Sequence, residues 1–94
     1  MTMEGWLRER TPPVPDAFGP WMRPVRPAAP ASVEALAEEA LEALAAALDP
    51  GDLPRRGAFR LLAADAFVTY ACEAALEEED PVKVLDTLVR RLTE

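Results

Sequence analysis

The chain has 94 residues, a net charge of −7, one cysteine and no histidine. A chain of this length forms one small domain, and it must commit most of its apolar side chains to a single core to fold alone. The lone cysteine excludes an internal disulfide framework, the missing histidine removes the commonest general base and zinc ligand, and the acidic balance disfavours contact with nucleic-acid phosphates or an anionic membrane surface.

Residues 1–31 hold seven of the ten prolines and carry +1, whereas residues 32–94 carry −8 and are rich in Ala, Leu and Glu. The shift near Pro30 predicts a proline-rich arm over 1–31 and a helical domain over 32–94. Within the arm, Thr2 to Arg10 suits a short helix, and Pro24, Pro27 and Pro30 follow the three-residue period of polyproline II. Trp6, Leu7, Phe18, Trp21 and Met22 keep large apolar anchors there, so the arm is expected to lie as an extended strap over the helices.

Ser32 is a good N-cap for a helix over about 32–48, with Glu34 in the first turn where the helix dipole favours an anion. Val33, Leu36, Ala37, Ala40, Leu41, Leu44 and Leu48 recur at three- and four-residue steps as one apolar stripe, and Glu34, Glu38, Glu39 and Glu42 are expected opposite. Asp49-Pro50-Gly51 ends this helix, because proline disfavours the helical region for the residue before it.

Asp52 is the expected cap of a second helix over about 53–79, with Pro54 tolerated in its first turn. Between Leu61 and Leu76 only Asp65, Thr69 and Glu73 are polar, and their four-residue spacing sets them in one narrow strip. A helix apolar on most of its circumference is a central one. Asp80 followed by Pro81 starts a third helix over about 81–93, with Val82, Leu85, Leu88, Val89 and Leu92 along one edge. Asp86 and Arg90 are spaced to pair, and Arg90 and Arg91 suit the negative C-terminal end. The expected fold is therefore all-α, a small antiparallel three-helix bundle with an extended N-terminal arm.

Candidate chemistry is sparse. Cys72 lies mid-helix among Ala71, Ala75 and Leu76 beside Glu73, a setting for a small buried hydrophobe rather than a reactive thiol. Asp65, Thr69 and Glu73, with Tyr70 near them, lack the base, nucleophile or second ligand cluster that catalysis requires. Glu77-Glu78-Glu79-Asp80 point in different directions on a helix and do not converge on a cation as a calcium loop does. No catalytic residue, metal site or cofactor is expected. The N-terminal MTMEGWLRERTPP lacks a basic stretch followed by an apolar one, and no window reaches the roughly 18 to 20 apolar residues that span a bilayer, so a cytoplasmic protein is expected.

The stretch from Leu41 to Leu76 resembles the small subunit of exodeoxyribonuclease VII. The resemblance rests on the turn Gly51-Asp52-Leu53-Pro54, on Leu41, Leu44 and Leu48 before it, and on Ala58, Phe59, Leu61, Leu62, Val68, Cys72 and Leu76 after it. The arm and the third helix are additions to that pattern, and Asp65 stands where the family usually has glycine. The resemblance implies a helical hairpin that binds a large nuclease subunit and has no active site of its own.

The nearly all-round apolar second helix and the arm aromatics together predict a small acidic interaction module or accessory subunit, packing both on a protein partner or its own copy, with no direct contact to nucleic acid or membrane. Its expected contact residues are the aromatics Trp6, Phe18, Trp21, Phe59, Phe67 and Tyr70, the residue types that dominate interface energetics.

Overall fold

The computed structural model describes residues 1–49, 51 and 54–93. The chain is all-α: α1 (Met3–Arg10), a 3₁₀ turn (Gly19–Met22), α2 (Val33–Ala47), α3 (Pro54–Leu76) and α4 (Pro81–Thr93). Three of the four helices begin where a short polar side chain satisfies an orphan amide. Thr2 Oγ1 accepts from the Gly5 amide at 3.1 Å, Ser32 Oγ from Ala35 at 3.1 Å and Asp80 Oδ1 from Lys83 at 3.2 Å. The expected caps and breaks at Pro50, Asp52 and Leu53 lie outside the described residues.

α2 and α3 run antiparallel and make the principal packing of the molecule. Their seam is built from small side chains: Ala37 and Ala40 on α2, and Ala63, Ala64, Ala71 and Ala75 on α3, are all buried. Such residues let two helix backbones approach closely, and a Cβ added at Gly57 would lie only 3.4 Å from the Ala47 carbonyl oxygen. Leu36 and Phe67 supply bulk where the seam opens. α4 runs parallel to α2, with Val84 near Val33, Arg91 paired with Glu38, and Leu92 reaching the side of Leu41.

Four departures from the sequence reading have physical causes. α1 forms where a short helix is expected over Thr2 to Arg10, but the N-terminal segment is more than a strap laid over the helices: Met3, Trp6 and Leu7 lie in the same buried cluster as Leu36 and Phe67, and Met22 of the 3₁₀ turn joins them. The first amides of α1 are satisfied partly by the chain ahead of α2: Met3 donates to the Ala29 carbonyl at 2.7 Å and Glu4 to that of Pro27 at 3.1 Å. This pairing also replaces continuous polyproline II over Pro24 to Pro30 with a turn, in which the Ala29 amide donates to Arg26 at 3.1 Å.

α3 stops at Leu76 rather than 79. The Glu77 amide bonds back three residues to Ala74 and leaves the helical ladder. Four successive acids oppose the negative end of a helix dipole, and Asp80 is taken up as the cap of α4 by the Lys83 amide. Lastly, Glu39 does not face solvent. It is 2% exposed, although it lies on α2 among the acids expected to point outward.

Candidate functional site

The expected contact aromatics are arranged mostly against one another. Trp6 and Tyr70 meet edge to face with centroids 5.8 Å apart, and the Arg10 guanidinium lies 4.0 Å from the centre of the Trp6 ring. Phe18 and Trp21 both stack on Phe59, at 6.1 and 5.8 Å. Arg55 approaches the Phe59 ring at 5.6 Å, and Arg60 the Trp21 ring at 5.1 Å. Trp6 and Phe67 are 6% and 2% exposed and belong to the core, while Phe18, Trp21, Phe59 and Tyr70 are half-buried. The rings thus fasten the N-terminal segment along α3, with α1 near its C-terminal half and the 3₁₀ turn near its start.

A polar clamp holds the same segment to α2. Both oxygens of the buried Glu39 carboxylate are used: Oε1 accepts from the Val25 amide at 2.7 Å and Oε2 from the Arg26 amide at 3.0 Å. One turn along α2, Glu42 takes the Arg26 guanidinium through two donors at 3.2 and 2.7 Å. That hydrogen-bonded charge holds the Arg26 guanidinium above its ordinary value, and Arg26 stays cationic. Arg10 bonds Glu77 at 2.7 Å, so the basic residues of the N-terminal segment neutralise acids of the helices.

The surface left over carries an aliphatic stretch on α2 and α3. α4 has 13 residues and α3 has 23, roughly 20 and 35 Å of helix, so α4 covers only part of the α2–α3 pair. Where α4 runs out at Leu92, a groove of about 450 Å³ opens between Leu41 and Leu44 of α2 and Leu61, Leu62 and Val68 of α3. Leu48 continues the α2 line by helical spacing. Leu48, Leu61 and Leu62 are 73%, 54% and 55% exposed. A second groove of about 320 Å³ lies between α2 and α4, floored by Ala37 and Leu88 and edged by Glu34, Lys83 and Arg91.

Asp65, Thr69 and Glu73 share the outer strip of α3, as their spacing predicts, and the Thr69 hydroxyl donates to the Asp65 carbonyl at 3.0 Å. Cys72 is half-buried and packs against the core cluster. Among the described residues no group of three His, Cys, Asp or Glu side chains is placed to hold a metal ion. Among them, too, no helix is long and apolar enough to cross a membrane. The arrangement therefore offers contact surface: a stripe of leucines on two helices with a carboxylate at its edge.

Contact is expected from the apolar second helix, yet the contact residues expected on it are Phe59, Phe67 and Tyr70 rather than these leucines. The signal that could have found them is length: the third predicted helix, 81–93, is too short to cover a second one of more than 20 residues. No family model matches the chain, and no curated protein or solved structure matches it at a significant level.

Proposed function

We propose that this protein is a small, non-catalytic interaction module or accessory subunit of the cytoplasm, which docks on a protein partner through the leucine face of α2 and α3. The observation that carries this reading is the exposure of Leu61 and Leu62 on the rim of one groove that Leu41, Leu44 and Val68 also line. Burial of apolar area contributes about 25 cal/mol per Å², and contiguous apolar patches on small soluble chains are commonly contact sites. A net charge of −7 fits a protein partner better than nucleic acid or an anionic membrane.

Light scattering together with binding of an apolar fluorescent dye tests this. The wild-type chain is expected to self-associate at micromolar concentration or to bind dye, and Leu61→Asp with Leu62→Asp to do neither while keeping its helicity. A wild-type monomer that binds no dye sinks the reading.

A second reading, the small subunit of an exodeoxyribonuclease VII-like enzyme, is favoured by one observation. Leu41, Leu44, Leu61 and Leu62, four of the residues that carry that resemblance, line the open groove. The partner would then be the helical region of a large nuclease subunit, and contact with DNA would belong to that partner. Co-expression with such a large subunit from the same genome decides it, since failure of the two to copurify removes this alternative.

A further inference from the structure

Resting on the interaction-module reading, we infer that the occupant of the leucine face is a second copy of this chain, docked antiparallel through α3 about a two-fold axis. Arg55, Ala58, Leu62, Asp65 and Thr69 are all exposed and follow one another at alternating three- and four-residue steps. That spacing sets them in one line on the outer side of α3, with the apolar Ala58 and Leu62 lying between Arg55 and Asp65.

Charge then selects the orientation. A parallel, in-register pair would set Arg55 against the partner's Arg55 and Asp65 against the partner's Asp65, and like charges across an interface are strongly unfavourable. In an antiparallel pair centred between Ala58 and Leu62, Ala58 meets the partner's Leu62 and Arg55 meets the partner's Asp65, each twice by symmetry. Large side chains then fall against small ones and each cation against an anion. Sliding by one repeat would press Leu62 onto the partner's Asp65 and strand a carboxylate in apolar surroundings.

Area agrees with this occupant. The chain exposes 6227 Å² at 10.3 kDa. A folded monomer of that mass has roughly 5,400 Å² by the general scaling of surface with size. The excess of roughly 800 Å² matches the ~800 Å² that each partner contributes to a standard interface. Leu61 borders the seam on the side of the groove.

Sedimentation equilibrium of the full chain from micromolar to submillimolar loading tests the inference, with a species of twice 10.3 kDa expected. Arg55→Asp and Asp65→Arg, both at exposed positions, are each expected to weaken self-association by about tenfold or more, and the double variant to return within about threefold of wild type. Circular dichroism of each variant checks that the fold is kept. A dimer indifferent to both single swaps overturns the inference. A chain that stays at 10.3 kDa and binds apolar dye in a Leu62-dependent way overturns the second copy as occupant and leaves the module reading standing. A chain at 10.3 kDa that binds no dye overturns both.

Discussion

The Glu39 carboxylate accepts the Val25 amide proton at 2.7 Å, so a side chain of α2 closes on the backbone of a segment 14 residues earlier. Its other oxygen accepts from Arg26 at 3.0 Å. A buried carboxylate is costly unless its oxygens are bonded, and two backbone amides are the partners that make this one tolerable. The same bonds satisfy amides of the chain that no helix or sheet serves.

Glutamine at this position tests the clamp. Glu39→Gln keeps the shape but offers one acceptor and a donor, so one of the two amides faces an N–H instead. We expect a loss of about 1–3 kcal/mol in urea denaturation, since a buried donor is left unsatisfied. Hydrogen exchange should show faster exchange at Val25 or Arg26 and little change at amides in the middle of α3.

Arg26→Ala removes the neighbouring ion pair with Glu42, whose side chains are about half exposed. Exposed pairs contribute little and are screened by salt. Its urea midpoint is expected to shift less than that of Glu39→Gln, and the shift to shrink further in high salt.

Trp6→Ala is expected to be far more damaging, by about 3–5 kcal/mol, as for deletion of other large buried rings. That is a large share of the roughly 5–15 kcal/mol that holds a small domain together. Deleting residues 1–10 should therefore yield a chain with residual helicity but no cooperative thermal transition by calorimetry. A sharp transition in the truncated chain would show that the helices from α2 onward complete their own core.

Leu62→Asp should behave in the opposite way. Its side chain is 55% exposed, so the substitution is expected to change stability by less than about 1 kcal/mol while suppressing self-association or dye binding. Phe67→Ala, five residues along the same helix but buried, should cost about 3–5 kcal/mol.

Local signals were legible in the amino-acid sequence, because they depend on near neighbours. Ser32 and Asp80 cap the helices they were expected to cap, and Arg90 pairs with Asp86 at 3.1 Å one turn away. Residues whose fate depends on distant chain were not legible. Glu39 reads as one more acid on an acidic helix face, and only the passage of Val25 and Arg26 over α2 makes it an interior residue. Trp6 reads as a contact residue until Tyr70 and Arg10 are brought around it. The apolar surplus of the second helix was legible in its composition, but not which leucines stay uncovered: Leu41, Leu44, Leu61 and Leu62 look like core by periodicity, and α4 ends too soon to cover them.

The central claim is that contact with a second copy of the chain runs through the leucine face and not through the aromatic rings. Amide correlation spectra of the full chain, recorded by nuclear magnetic resonance over a dilution series from submillimolar to low micromolar, test it most directly. The account predicts concentration-dependent shifts at Leu44, Leu48, Ala58, Leu61, Leu62 and Asp65, with Trp6, Phe18 and Phe67 unmoved. Spectra that do not change with dilution, or that change only around Trp6, Phe18 and Trp21, would contradict it.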